Sequence, residues 1–194
     1  MVVYLKDMPN NYIYNIIYMI NIFDIEIVDI FFRASPVIMN IVMFSLTWIL
    51  QNHDYLYFFI ALICCDALNH IMKYSIVKPI MGDKKYPILG TGTRPKGAKN
   101  CGIYKNGKKS TSYGMPSGHS QSASIFSTIL CLQVNEMFIN EMLKASIQFG
   151  LILFALSVMY SRVRYGCHTV QQTIVGGTLG IILGRIIWES RYIF

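Results

Sequence analysis

Five apolar runs, residues 34–50, 55–71, 120–134, 145–160 and 169–188, occupy most of a chain of 194 residues. Each carries few charges or none, and the connector between the first two is only Gln51-Asn52-His53-Asp54. A helix that crosses a bilayer needs about 20 mostly apolar residues, within a range of about 17 to 25. The runs therefore read as spans that borrow residues from their flanks, and together they predict an all-α integral membrane helical bundle of five main spans. Composition agrees: 54% of residues are hydrophobic, 14% are charged and the mean hydropathy is +0.43, against about 25% charged in ordinary soluble domains. Disorder and an ordinary soluble domain are excluded. The start Met1-Val2-Val3-Tyr4-Leu5-Lys6-Asp7 leads to no small-residue cleavage site, so insertion is expected through internal segments.

Residues 11–33 behave differently. Ile13, Ile17, Ile20, Ile27 and Phe31 recur near helical spacing, but Asp24, Glu26 and Asp29 interrupt them. Each carboxylate at a bilayer centre would cost about 2.5–3.5 kcal/mol. Residues 1–33 are thus expected to form an amphipathic or interfacial helix, with a sixth span as the alternative. Residues 34–194 would form the membrane-embedded domain, with residues 74–118 as a long basic loop.

Alternating spans bring the end of the second, the start of the third, the end of the fourth and the start of the fifth to one face. Charge gathers there too. Residues 73–109 hold ten of the seventeen basic residues and one acid, Asp83, which marks an anion-binding region. Three groups meet on that face: Lys73 with Arg94-Pro95; Tyr113-Gly114-Met115-Pro116-Ser117-Gly118-His119-Ser120-Gln121; and Ser161-Arg162-Val163-Arg164-Tyr165-Gly166-Cys167-His168-Thr169-Val170-Gln171-Gln172.

Such residues suit phosphoryl transfer. A neutral imidazole can attack phosphorus in line if cations hold the equatorial oxygens and the leaving oxygen receives a proton. The guanidinium forks of Arg94 and Arg162 can each donate two parallel charge-assisted bonds, and Lys73 adds a point charge. Ser117 and Gly118 stand where a helix begins, so free N–H groups are expected to face the phosphate. Asp66, Asn69, His70 and Lys73 share a helical face, read as a network that supports Lys73. Gly177, Gly180 and Gly184 read as a close-packing face. Lys84, Lys85, Lys96, Lys99, Lys105, Lys108 and Lys109 read as a headgroup-attracting surface rather than a nucleic-acid site.

The blocks resemble the type 2 phosphatidic acid phosphatase superfamily, whose signature is K-x6-RP, PSGH and SR-x5-H-x3-D. The fuller strings are most similar to dolichyl diphosphate phosphatases, with YGMPSxHSQ and SRV-x4-HT-x2-Q, over residues 69–184. The resemblance implies a multi-pass membrane enzyme that hydrolyses a lipid phosphate or polyprenyl diphosphate without cofactor or metal. It implies that His168 is the nucleophile, that His119 protonates the leaving group and later activates water, and that Gln172 orients His168 where the wider superfamily has aspartate. It also implies the endoplasmic reticulum, with the site facing the lumen. The positive-inside rule instead places the basic face in the cytoplasm, and the five cysteines, Cys64, Cys65, Cys101, Cys131 and Cys167, with no C-x-x-C pair, do not define the compartment.

Two departures leave alternatives open. Lys73 stands 21 positions before Arg94, not seven, so Lys78 competes for the site lysine. The neutral Gln172 favours a rival reading, a lipid-phosphate binder or transporter without turnover. A serine hydrolase through Ser117 is poorly supported, because Gly114-Met115-Pro116-Ser117-Gly118 lacks G-x-S-x-G spacing.

Overall fold

The first helix, α1 (Asn10–Leu50), runs without a break through the boundary expected at residue 33. Pro36 lies inside it and offers no N–H to the carbonyl of Phe32. Ser35 Oγ donates to that carbonyl instead, at 2.9 Å. The structure, a computed structural model, describes residues 10–98, 100–102, 110 and 112–193, with side chains from residue 27 onward. Ile13, Ile17, Ile20, Asp24 and Glu26, which define the amphipathic pattern, lie outside the described side chains, as do Lys99, Lys105, Lys108 and Lys109.

Asn52 caps α2 (His53–Ile71) by accepting from Asp54 N–H at 2.8 Å. The helix then widens into a π-helical segment, Met72–Val77, and continues as α3 (Lys78–Met81) to Gly82 at φ +50°. The basic loop therefore begins at Gly82, not at residue 74. Its first part is a small antiparallel hairpin, β1 (Lys85–Tyr86) paired with β2 (Gly90–Thr91), which the sequence reading did not anticipate. Three further helices follow: α4 (Gly118–Glu136), α5 (Glu141–Arg164) and α6 (Val170–Ser190).

Among the described residues four segments are long and apolar enough to cross a membrane: Ile27–Leu50, His53–Met81, Glu141–Arg164 and Val170–Ile193. The fifth expected span, α4, lacks their apolar character because its neighbours shield it. Ten of its 19 residues are buried, among them Ser120, Gln121, Ser122, Ser124 and Ser127. The other helices turn apolar side chains outward, including Trp48, Ile63, Phe149, Ile152 and Ile182, as lipid contact requires. Phe58, Leu62, Ile125, Ile129 and Val158 fill the interior, where Phe58 stacks on Trp188 at 5.8 Å between ring centres.

Glycines let α6 lie against α4. Gly180 packs on the Gln121 carbonyl and Gly184 on Thr128, while Gly177 faces the Met159 thioether. Gly176, which the spacing analysis missed, is closest to the expected site: a Cβ there would stand 2.5 Å from the Ser117 carbonyl oxygen. Gly176→Ala is expected to cost about 1–3 kcal/mol, the usual penalty for overpacking. Thermal unfolding in detergent would register this as a lower midpoint, and an unchanged midpoint would contradict the close packing.

Candidate active site

Short bonds between helix ends and the basic loop bring the three sequence blocks together. Asp66 accepts from Ser122 Oγ at 2.5 Å, and Asn69 Nδ2 donates to Gln121 Oε1 at 2.7 Å, tying α2 to α4. Lys73 lies buried on the same side, whereas Lys78 is exposed with its ammonium 5.7 Å from the Tyr74 ring centre. The geometry thus favours Lys73. His70 departs from the expected network: it is exposed and packs on Tyr74 at 4.7 Å, because it lies about 100° round the helix from Asn69.

Ser117 caps α4 and is fully buried. Its own N–H is not free as expected, since it donates to the Gln172 carbonyl at 3.1 Å. The donors of the first helical turn are those of Gly118, His119 and Ser120, which have no carbonyl one turn earlier to bond. His119 Nε2 meets the Arg33 carbonyl at 3.2 Å. A carbonyl only accepts, so this nitrogen carries a proton. Arg33, itself paired with Asp29, brings α1 to the site, a contribution no motif spacing could show.

The third block wraps the end of α5. Gly166 takes a positive φ of +65°, and the Arg162 carbonyl accepts from both Cys167 N–H at 2.9 Å and His168 N–H at 3.1 Å. Thr169 and Gln172 then form a capping box that starts α6. Gln172 is fully buried, and its Nε2 donates to the carbonyls of Thr91 at 2.9 Å and Thr93 at 2.7 Å. Those two acceptors fix the amide, so Oε1 faces His168 Nδ1 at 3.1 Å. His168 therefore carries its proton on Nδ1 and keeps the Nε2 lone pair free. Burial, and then the charges of Arg94 and Lys73, hold this imidazole neutral, well below its ordinary range, against the opposing Gln172 bond.

Two arginines contact the turn that carries this histidine, Arg94 by its side chain and Arg162 by its carbonyl. Arg94 donates through Nε to Ser112 and through Nη1 to the Cys167 carbonyl at 2.9 Å. Arg162 is 1% exposed; its Nε donates to Ser161 Oγ at 3.1 Å and its Nη1 to the Cys101 carbonyl at 3.2 Å. Its Nη2 is buried with no hydrogen-bond partner among the described residues. None of Lys73, Arg94 and Arg162 forms an ion pair among those residues. A buried cation with an unused donor suits an anion that supplies the missing oxygen.

The structure is thus a membrane helical bundle that gathers two histidines and three cations, unpaired among the described residues, around its helix ends. The chain belongs to the PAP2 superfamily, whose sequence model matches residues 54–193. It is 38% identical over 96 residues to dolichyldiphosphatase 1 of Dictyostelium discoideum, covering 43% of this chain and 38% of that protein. It is 26% identical over 166 residues to dolichyldiphosphatase 1 of Rhinolophus ferrumequinum, covering 81% of this chain and 61% of that protein. The chain thus spans less than two thirds of the length of these relatives. No solved structure matches it.

Proposed function

We propose that the protein hydrolyses a membrane lipid phosphate, specifically a polyprenyl diphosphate to its monophosphate, through a phosphohistidine on His168 and without a metal. The observation that carries this reading is the fixed Gln172 amide, which leaves His168 Nε2 free to attack beside Arg94 and Arg162. Nε2 bonds to phosphorus as the P–O bond to the leaving oxygen breaks, and His119, charged as an imidazolium beside the anionic substrate with its Nε2–H kept on the Arg33 carbonyl, gives that oxygen its Nδ1 proton. His119 then accepts a proton from water, whose oxygen attacks the phosphohistidine, releasing inorganic phosphate and restoring neutral His168. Lys73, Arg94, Arg162 and the amides that begin with Gly118 stabilise the equatorial oxygens, while Ser117 holds the helix start in place.

The surroundings suit an amphiphile. A cavity of about 460 Å³ with mixed polar and apolar walls borders Arg94, Lys78, Lys96 and Asp83. An apolar one of about 290 Å³, lined by Met72, Ile76, Leu89, Met115, Pro116 and Leu179, lies beside the start of α4. The names of the relatives support a diphosphate substrate, and the four apolar segments among the described residues support a multi-pass membrane protein. Among the described residues no three of His, Cys, Asp and Glu cluster as metal ligands. The decisive test is phosphate release from polyprenyl diphosphate and from phosphatidic acid in excess EDTA, with the His168→Ala protein as the reference.

Gln172 gives less support to the rival binding reading once its bonds are counted. An aspartate or glutamate could accept from His168 but would turn an oxygen toward the Thr91 and Thr93 carbonyls, where Gln172 donates twice. Leaving such buried groups unsatisfied costs about 1–3 kcal/mol each. Gln172→Glu is therefore expected to lower kcat about 10- to 100-fold. A gain in turnover from Gln172→Glu or Gln172→Asp would instead mark the natural protein as an impaired enzyme.

A further inference from the structure

Cys101 and Cys167 form a disulfide across 66 positions of sequence, with their Cα atoms 6.1 Å apart. Cys101 lies in the segment that follows Arg94, and Cys167 immediately precedes His168. The hydrogen bonds at this bridge cross over. Arg162 donates to the carbonyl of Cys101, on the segment of Arg94, and Arg94 donates to the carbonyl of Cys167, on the segment of Arg162. Each guanidinium is held by the cysteine on the other's strand of chain.

Ala98 N–H bonds to Pro95, Ser110 N–H to Ala98 and Gly102 N–H to Asn100, all contacts within the loop itself. Lys96 meanwhile adds positive charge to a region that already holds Arg94 and Arg162, and like charges repel. A covalent link opposes that repulsion.

We propose that the Cys101–Cys167 disulfide is a positioning clasp for Arg94 and Arg162, so that the phosphate cradle is complete only on a membrane face exposed to an oxidising compartment. This inference rests on the reading of those two arginines as phosphate ligands. Disulfides persist in the lumen of the endoplasmic reticulum and outside the cell, and are rare in the reducing cytosol. The cations that suggest a cytoplasmic face under the positive-inside rule are then there for phosphate. Closing the clasp removes two protons and two electrons from the thiols and passes them to a disulfide oxidant, which becomes a dithiol. Dithiothreitol reverses the step, forming its cyclic disulfide as the two cysteine sulfurs regain protons.

The experiment uses the full chain from membranes in which free thiols are blocked with N-ethylmaleimide during lysis. Peptide mapping is expected to find Cys101 and Cys167 joined. On the purified protein, kcat and KM for polyprenyl diphosphate and the inhibition constant of orthovanadate are measured oxidised, after dithiothreitol, and after reoxidation. Reduction is expected to lower kcat at least about 10-fold and to weaken vanadate inhibition by a similar factor, with recovery on reoxidation. The Cys101→Ser, Cys167→Ser double variant should match the reduced protein and ignore dithiothreitol.

Unchanged kcat and vanadate inhibition after mapping shows the bridge open would overturn the clasp alone, as would both thiols blocked in the membrane-derived protein. A loss that follows unfolding and does not recover would reduce the bridge to a purely structural link and also overturn it. Oxidised wild-type protein that neither releases phosphate nor binds vanadate would overturn the reading of the site, and the clasp with it.

Discussion

Protein carrying His168→Ala is expected to release phosphate from polyprenyl diphosphate at least about 10³-fold more slowly than the wild type, with EDTA changing neither rate. The reason lies in how few groups can replace that imidazole. His168 is the one whose Nδ1 proton is fixed by Gln172 and whose Nε2 stays unprotonated among cations. His119 has its Nε2 proton directed at the Arg33 carbonyl, so that nitrogen offers no lone pair for attack. Wild-type protein quenched during turnover should carry an acid-labile phosphoryl group on the peptide containing His168. The variant should lack that group but still bind vanadate, since Arg94 and Arg162 remain. Phosphate release by folded His168→Ala protein at a rate near that of the wild type would end the phosphohistidine reading.

The second large effect is expected at Arg162. Arg162→Lys keeps the charge but loses the planar fork that reaches Ser161, Cys101 and a substrate oxygen at once. Loss of a pre-organised donor of this kind costs about 10²- to 10³-fold in rate, and kcat/KM should fall by that amount. Arg162→Met should be at least as inactive while its melting temperature stays close to that of the wild type. Methionine removes a buried cation whose Nη2 has no partner among the described residues, and replacing such a charge with an apolar chain is often neutral for stability. A lysine variant within threefold of wild-type activity, roughly 0.7 kcal/mol, would show that charge alone is needed.

Much of this arrangement was legible because a membrane restricts the choices of a chain so strongly. Apolar runs separated by short polar turns left a helical bundle as the natural solution, and alternation of direction put the three blocks on one face. Spacing then separated residues with a chemical task from their neighbours, and the structure brings His119, His168, Gln172, Lys73, Arg94 and Arg162 together. What stayed hidden depends on backbone atoms or on distance. The Thr91 and Thr93 carbonyls that give Gln172 its purpose come from a hairpin about eighty positions away, and a carbonyl has no sequence signature. Arg33 enters through its carbonyl as well. The free N–H expected on Ser117 is occupied by Gln172, a contact set by the approach of α6 through Gly176. Five cysteines allow many pairings, and only the fold selects Cys101 with Cys167.

The serines and glutamine buried along α4 bear on how the protein is made. A helix that carries Ser120, Gln121, Ser122, Ser124 and Ser127 gains little from lipid, and three of these residues find partners on neighbouring helices: Asp66, Asn69 and Cys65 on α2, and Leu151 on α5. Its close fit to α6 relies on glycines that follow it by about fifty to sixty positions in the chain. During synthesis α4 must therefore wait beside the insertion machinery or among its earlier partners until α6 emerges from the ribosome. The two histidine-bearing blocks are thus joined by one late event, and a chain that stops short of α6 cannot assemble the site.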